Sequence, residues 1–157
     1  MTESDKDIVR RHISDAPVRL GVLASDLGIE VFRSPLKPGI SGLIEPSPTA
    51  RSGYRIKINR HESVERQRFT LAHEISHYLL HRELIRSGVV DNTMYRSNLS
   101  SRHEIEANKL ASMIVMPDGI VERLKAEFAE LPLDERVHRM ASALRVSEPA
   151  MRIKLGV

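Results

Sequence analysis

The spacing of apolar and polar positions changes character along the first part of the chain. Residues 5 to 13 are weakly amphipathic and predict a short helix. A second predicted helix begins at Pro17 and ends at Gly28, because proline suits a first helical turn and glycine commonly ends a helix. Three short strands are predicted after it, at 29–32, 40–44 and 54–58.

The strongest periodicity lies over about 63 to 81 and predicts a long helix with Ser63 as its N-cap. One stripe at helical spacing is suited to a core and holds Phe69, Ala72, Ile75, Ser76 and Leu79. The neighbouring stripe is polar and holds Thr70, His73, His77 and His81. A row of histidines beside a core-facing stripe distinguishes this helix from an ordinary surface helix.

The second half of the chain is predicted to be mostly helical. Residues 86 to 101 are rich in Ser and Asn and predict a mobile loop, and the helix that follows, at about 101–115, stops before Pro117. Three more helices are predicted at 118–130, 133–144 and 147–155. We expect one domain over 1–157, with an α/β part, a central helical part and a C-terminal helical region at 1–60, 61–117 and 118–157.

Composition narrows the classes of protein. The chain has 157 residues, 41% hydrophobic and 29% charged, which is an ordinary globular balance. It has no cysteine, which excludes disulfides, thiolate metal sites and a cysteine nucleophile. The net charge of +3 is too small to indicate nucleic-acid binding by itself. With no signal-peptide pattern and no apolar run of roughly 18 residues, we expect a cytoplasmic protein that does not enter a membrane.

The candidate chemistry lies in His73-Glu74-Ile75-Ser76-His77, which has HExxH spacing. Residues i and i+4 of a helix project from one face, so His73 and His77 can bind one metal ion. Glu74 lies on the flank of that face, where it can contact a water on the metal. A catalytic zinc needs three protein ligands and one open position, so a third ligand must come from another element.

A second segment, Glu104-Ile105-Glu106-Ala107-Asn108, offers two carboxylates as that third ligand. Glu104 and Glu106 lie about 200° apart around a helix, so only one of them can face the site. Asn108 stands one turn after Glu104 and can support a ligating histidine, which favours Glu104 without excluding Glu106. The two segments together indicate a zinc-dependent peptidase in which Glu74 is the general base.

These two motifs, in this order, resemble those of the ImmA/IrrE metallopeptidase family. Residues 66–81, which contain HExxH, closely resemble the family's first block. Residues 104–108, running into a helix that ends at Met116-Pro117, resemble its second block, ExxAN followed by Met-Pro. Residues 28–31 and 40–42 are similar to its N-terminal portion.

The resemblance implies a zincin-like α+β fold with a small N-terminal sheet, an HExxH helix and a helical C-terminal region. It implies zinc bound by His73, His77 and Glu104, with Glu74 as the catalytic base. Members of the family cleave DNA-binding repressors, so the expected substrate is a helix-turn-helix repressor and the expected result is relief of repression. Ser76 stands where a glycine is frequent, but this departure removes no ligand.

The end of the chain offers a different interpretation. Residues 140–155 resemble a helix-turn-helix whose second helix would expose Arg152 and Lys154. The protein would then be a non-proteolytic DNA-binding or repressor-binding regulator with a structural or vestigial metal site. A hairpin that packs on the catalytic core or grips the repressor is favoured instead, because Arg145 replaces the glycine often found in such a turn and the basic cluster is small.

Several other side chains have both a plain and a functional interpretation. His81 is expected to cap the end of its helix, where a cation suits the helix dipole. Tyr95, His103 and His138 are candidates to stabilise an oxyanion, although an ordinary role is favoured for each. Four methionines at apolar helical positions are expected in the core, namely Met113, Met116, Met140 and Met151.

Overall fold

The computed structural model describes residues 1–86 and 101–157, and these residues form the mixed α+β architecture that the sequence predicts. The helices in this part of the chain are α1 (Glu3–His12), α2 (Leu20–Asp26), α3 (Val64–Arg86), α4 (Ser101–Val115), α5 (Asp118–Glu127), α6 (Leu133–Leu144) and α7 (Glu148–Leu155). The strands are β1 (Glu30–Ser34), β2 (Gly42–Pro46) and β3 (Tyr54–Asn59). The loop predicted at 86–101 lies, apart from its two end residues, outside the described residues.

The three strands form one sheet with β3 in the centre, β1 parallel to it and β2 antiparallel. Side chains alternate along β3, so that Tyr54, Ile56 and Ile58 are buried. All three predicted strands are present, but β1 and β2 begin one and two residues later than predicted. β2 is an edge strand and ends at Pro46, where proline does not disturb an interior ladder. Its inner face packs on α3.

The turn between α2 and β1 depends on a glycine. α2 starts at Leu20 rather than at Pro17 as predicted, but it ends before Gly28 as the sequence indicates. Gly28 has a φ of +81°, a conformation that side chains disfavour. A β-carbon on Gly28 would also lie 2.9 Å from the backbone nitrogen of Ser52, so both the conformation and the space require glycine.

The longest helix, α3, begins where the sequence predicts. Ser63 Oγ accepts a hydrogen bond from the backbone N–H of Arg66 at 3.1 Å, as an N-cap does. Every residue from 70 to 79 is buried, because α3 packs against both α4 and the sheet. The helix continues through a kink at His81 (φ −125°, ψ 23°) to Arg86. Regular helical geometry is thus interrupted at His81, where the sequence predicts the helix to end, but the His81 ring contacts His77 and Glu106 rather than capping that end, so the capping role is wrong.

The C-terminal helices begin within one residue of their predicted starts. α6 and α7 form a hairpin in which Arg145 adopts the left-handed conformation that glycine usually takes, with a φ of 56°. Arg152 forms an ion pair with Asp134, and Lys154 Nζ lies 2.7 Å from Asp118 Oδ1. Both cations are partly buried and bound to carboxylates of neighbouring helices, so they do not form the exposed basic surface that the sequence suggests.

The buried apolar side chains form one cluster that extends from Val18 to Met151. Met116, Met140 and Met151 are buried as predicted, but Met113 is 47% exposed, and its assignment to the core is wrong. Among residues 1–86 and 101–157, no helix combines the length and the apolar character needed to cross a membrane.

Candidate metal centre

Two adjacent helices supply the candidate centre. α3 carries His73 and His77 one turn apart, and α4 packs beside it with Glu104 in its first turn. Glu104 Oε2 lies 3.0 Å from His73 Nε2, and Oε1 lies 3.1 Å from His77 Nε2. The two Nε2 atoms are 3.1 Å apart. These three residues, which we call the first triad, are those that the sequence predicts to meet, and Glu104 rather than Glu106 contacts both histidines.

The first triad is largely shielded from solvent, since His73 is 5% exposed and His77 is fully buried. Burial alone would raise the pKa of Glu104. Hydrogen bonds from His73 and His77 outweigh burial and hold the pKa of this carboxyl far below its ordinary value. Glu104 is therefore ionised at neutral pH and places a negative charge between two imidazoles.

This set of donors fits a zinc ion. Two imidazole nitrogens and one carboxylate form a common three-ligand set for catalytic zinc, which leaves a fourth position for water or substrate. In the part of the chain that the structure describes, the ligand atoms of His73, His77 and Glu104 all lie within 4.8 Å of one another. A small cation at their common focus would satisfy three polar groups that otherwise crowd one another.

Glu74, the predicted base, is fully buried beside the first triad. Its carboxylate faces β2, since a β-carbon built on Gly42 would lie 3.8 Å from Glu74 Oε2. The same β-carbon would lie 2.6 Å from Thr70 Cγ2 and 2.8 Å from the carbonyl oxygen of Lys57. Only glycine therefore lets β2 approach α3 this closely, and Glu74 lies at the contact between the two elements.

A groove of about 560 Å³ reaches the first triad, a volume typical of binding pockets. His73 and Glu104 line it, whereas Glu74 and His77 lie beneath its surface. Its apolar lining residues are Phe69, Met116, Ala150 and Ile153. Its other lining residues are Ser41, Arg66, Thr70, Asn108 and Ser112. The groove is thus formed by α3, α4, α7 and the residue that precedes β2.

A second group of two histidines and one glutamate lies next to the first, and the sequence predictions do not include it. His81 Nε2 lies 2.9 Å from Glu106 Oε1, and the rings of His81 and His103 are 4.8 Å apart. These three residues, which we call the second triad, border a separate cavity of about 550 Å³. The signal that could have found this group is the spacing of His77 and His81, which continues the row of histidines by one turn.

The two triads meet where His77 Nδ1 lies 3.0 Å from His81 Nδ1. Burial lowers the pKa of His81 below its ordinary value, although the hydrogen bond with Glu106 opposes this effect. The Nδ1 atom of His73 is buried and has no hydrogen-bond partner within the described residues. Asn108 is exposed and supports neither histidine, so the role predicted for its amide is wrong.

Of the residues weighed as oxyanion stabilisers, the two that the structure describes, His103 and His138, do not line the groove. His103 belongs to the second triad. His138 is exposed and its Nδ1 lies 3.1 Å from Glu148 Oε2. Tyr95 lies outside the described residues.

Comparison with known proteins places the sequence in a family. The sequence model named Peptidase_M78, described as the IrrE N-terminal-like domain, matches residues 24–155. The chain therefore belongs to the ImmA/IrrE family, and this membership, together with the candidate metal-binding group, suggests a metallopeptidase.

A solved structure described as a Mycobacterium tuberculosis transcriptional regulator is similar to this chain, with a TM-score of 0.62 and 14% sequence identity. The similarity covers 98% of this chain and 46% of that one, so the chain spans about half the length of that protein. At this identity the similarity concerns the fold alone. No protein with a curated function matches the sequence significantly.

Proposed function

We propose that the chain is a zinc-dependent endopeptidase that cleaves a helix-turn-helix repressor and so relieves repression. The observation that carries the proposal is the position of the Glu104 carboxylate, whose two oxygens lie 3.0 and 3.1 Å from the Nε2 atoms of His73 and His77. Two imidazoles and one carboxylate bind several divalent metals, and their position on an HExxH helix favours catalytic zinc among them.

In this mechanism His73, His77 and Glu104 hold the metal. A zinc ion bound there would lower the pKa of a water molecule and polarise the carbonyl of the scissile peptide bond. Glu74 accepts the proton of that water on its carboxylate as the water attacks the carbonyl carbon. Glu74 then delivers the proton to the leaving amine as the C–N bond breaks. Because Glu74 is buried, it acts on a water held at the first triad rather than on bulk solvent.

The sheet offers a way to position the substrate. β2 is an edge strand that packs on α3 beside Glu74, and Ser41, directly before it, lines the groove. An extended segment of a substrate can add to such an edge through backbone hydrogen bonds, with specificity set by side-chain pockets. The apolar groove residues Phe69, Met116 and Ile153 would then accept an apolar side chain near the scissile bond.

Two observations support a repressor as the substrate. The chain belongs to the ImmA/IrrE family, and its resemblance to members of that family implies cleavage of DNA-binding repressors. The similar solved structure is also described as a transcriptional regulator. A repressor acts on DNA inside the cell, and we propose that the reaction takes place in the cytoplasm.

The alternative is a non-proteolytic regulator that contacts DNA through α7. The structure gives this alternative little support, because Arg152 and Lys154 are bound to Asp134 and Asp118. A reporter of repression distinguishes the two functions. Under the peptidase proposal, His73→Ala abolishes relief of repression and the double variant Arg152→Ala, Lys154→Ala retains it. The opposite pattern would favour the regulator.

The direct experiment is incubation of the zinc-loaded protein with the repressor encoded beside its gene. We expect one discrete cut, identified by mass spectrometry, that a chelator prevents and added zinc restores. Glu74→Gln should abolish this cut, and Glu83→Gln, which changes an exposed glutamate on the same helix, is its matched control and should cleave normally. A folded, zinc-loaded protein that leaves the repressor intact would reject this substrate.

A further inference from the structure

We propose that His81 and Glu106 are positioning residues that hold the ring proton of His77 on Nδ1 and thereby strengthen the metal site. The inference rests on the proposed function, since it takes His77 Nε2 as a metal ligand. It assigns to the second triad a role in the chemistry of the first, although its residues do not line the groove that reaches the first triad.

A continuous line of hydrogen-bonding atoms joins Glu106 to the first triad. Glu106 Oε1 lies 2.9 Å from His81 Nε2, and His81 Nδ1 lies 3.0 Å from His77 Nδ1. His77 Nε2 then lies 3.1 Å from Glu104 Oε1. Both imidazoles are buried, so solvent competes little for their ring nitrogens. The kink at His81 marks the place where α3 departs from helical geometry as it makes these contacts.

The positions of the protons follow from this line. A metal ligand uses a lone pair, so a neutral His77 that binds through Nε2 carries its proton on Nδ1. That N–H donates to His81 Nδ1, which must therefore be the acceptor. The proton of His81 is then on Nε2, where it donates to the Glu106 carboxylate. Each contact has one donor and one acceptor, as is usual where an outer carboxylate orients a ligating histidine.

The same reasoning argues against a second metal ion at His81, His103 and Glu106, although these donors also lie within 4.8 Å of one another. A metal on His81 Nε2 would move the ring proton to Nδ1. Two N–H groups would then face each other over the 3.0 Å between His77 and His81 whenever the first triad was occupied. The guanidinium of Arg102, 3.7 Å from Glu106 Oε2, also disfavours a further cation.

The two ligating histidines consequently differ. His77 has an oriented partner at Nδ1, whereas His73 Nδ1 has no hydrogen-bond partner within residues 1–86 and 101–157. Part of the metal affinity should therefore depend on His81, a residue that does not itself touch the metal.

Competition with a chromophoric zinc chelator tests this proposal on the full chain. His81→Phe removes the acceptor and should weaken zinc binding about 10- to 100-fold, the usual effect of losing such an outer partner. His81→Asn places an amide oxygen near the position of Nδ1 and should recover part of that affinity. Glu106→Gln keeps an acceptor for His81 Nε2–H without the charge and should cause a smaller loss.

His138→Phe is the matched control, since it removes another histidine that pairs with a glutamate, and it should bind zinc like the unmodified protein. Thermal unfolding of the metal-free variants separates lost affinity from lost structure, and Glu106→Gln tests the proposal even if His81→Phe does not fold. Unchanged affinity in a folded His81→Phe, or equal losses for His81→Phe and His81→Asn, would overturn it. So would a second equivalent of zinc that disappears in both His81→Phe and His103→Phe.

Zinc binding without repressor cleavage would reject the proposed substrate and leave this inference intact. Absence of zinc binding by the unmodified protein would reject both.

Discussion

The two triads have the same composition but different surroundings. In the first, both oxygens of Glu104 contact imidazoles, so the carboxylate and the two rings converge on one point. In the second, Glu106 divides its oxygens between His81 and Arg102. The hydrogen bond from His81 lowers the pKa of Glu106, which keeps that carboxyl ionised as an acceptor. Two histidines and a glutamate thus do not define a metal site, because the neighbouring donors and the ring protons decide what the group can bind.

The residues next to each triad differ as well. Glu74 follows His73 directly, so a carboxylate is available beside the first triad. Arg82 follows His81, and its guanidinium is 2.7 Å from Asp5 and cannot accept a proton. The second triad therefore has no base of its own in this position.

The largest effect should come from exchanging the two glutamates for glutamine in turn. Glu104→Gln removes the charged ligand, and we expect no zinc to remain after desalting, a loss well beyond the roughly 100-fold limit of outer-partner changes. Glu106→Gln should retain a full equivalent of zinc with at most about tenfold weaker binding. Metal analysis of both variants measures the zinc that each retains. Equal losses of zinc would contradict the distinction between the two triads.

Glu74→Gln should separate catalysis from metal binding within the first triad. Loss of the base should lower the rate of cleavage about 10²- to 10⁴-fold. Zinc affinity should change little, because Glu74 is not part of the ligand set. Single-turnover cleavage gives the rate, and zinc titration of the same preparation gives the affinity. A variant that loses zinc together with activity would make Glu74 a ligand or a structural residue instead.

Gly42→Ala should affect only the side of the molecule where β2 covers the first triad. The added methyl group meets Thr70 Cγ2 and the Lys57 carbonyl oxygen below 3 Å, so β2 must move away from α3. We expect a loss of about 1–3 kcal/mol in the free energy of unfolding and slower cleavage. Gly21→Ala is the control, because its β-carbon would meet no atom within 4 Å and alanine favours the helix. Denaturant unfolding measures the free energy of unfolding of Gly42→Ala and of Gly21→Ala.

Asp5→Asn should produce the smallest effect and should act beside the second triad. Asp5 completes a capping box with Thr2 and binds Arg82, which borders the second cavity. We expect a loss of about 1 kcal/mol at neutral pH and unchanged zinc affinity. Asp7→Asn, on the same helix but exposed, should be nearly neutral.

The stability difference between the unmodified protein and Asp5→Asn should depend on pH in a defined direction. Burial, the largest single effect, would raise the pKa of Asp5, but the hydrogen bonds from Arg82 and Thr2 and the charge of Arg82 together outweigh it and bring the pKa below the ordinary value of 3.8. The stabilisation is therefore complete above the unfolded pKa and is lost as the pH falls through the lower folded pKa. The melting temperatures of the unmodified protein and Asp5→Asn should differ by a constant amount above about pH 5 and converge in acid. A difference that grew in acid would contradict this origin.

The elements that sequence predicts best are those whose signals are local. The HExxH helix has a recognisable N-cap in Ser63 and a periodic core stripe, and its start is confirmed. The kink at His81 falls where the sequence predicts this helix to end, but the second helical segment that continues α3 to Arg86 is not predicted. Met113 is misassigned because periodicity identifies an apolar face but not whether another element covers it.

The sequence likewise predicts some features of the candidate site and misses others. The sequence favours Glu104 over Glu106 because of Asn108. Glu104 does contact both histidines, but Asn108 supports neither of them. The partner of His77 is His81, which belongs to its own helix. The approach of β2 to α3 at Gly42 depends on the Thr70 methyl group and the Lys57 carbonyl. The i, i+4 spacing of His77 and His81 indicates their contact, whereas no spacing rule along one segment contains the contact between β2 and α3.

His77 and Glu104 are 27 positions apart along the chain, and the sequence contains no cysteine. An ion shared between α3 and α4 would act as a cross-link in the sense of polymer physics. A permanent bond closing a loop of this length would remove roughly 3.5 kcal/mol of entropy from the unfolded chain. Coordination is reversible, so this contribution varies with the free concentration of the ion. Under the proposed function, the fraction of folded protein would depend on metal supply, and the survival of the protein in the cell would be linked to zinc homeostasis.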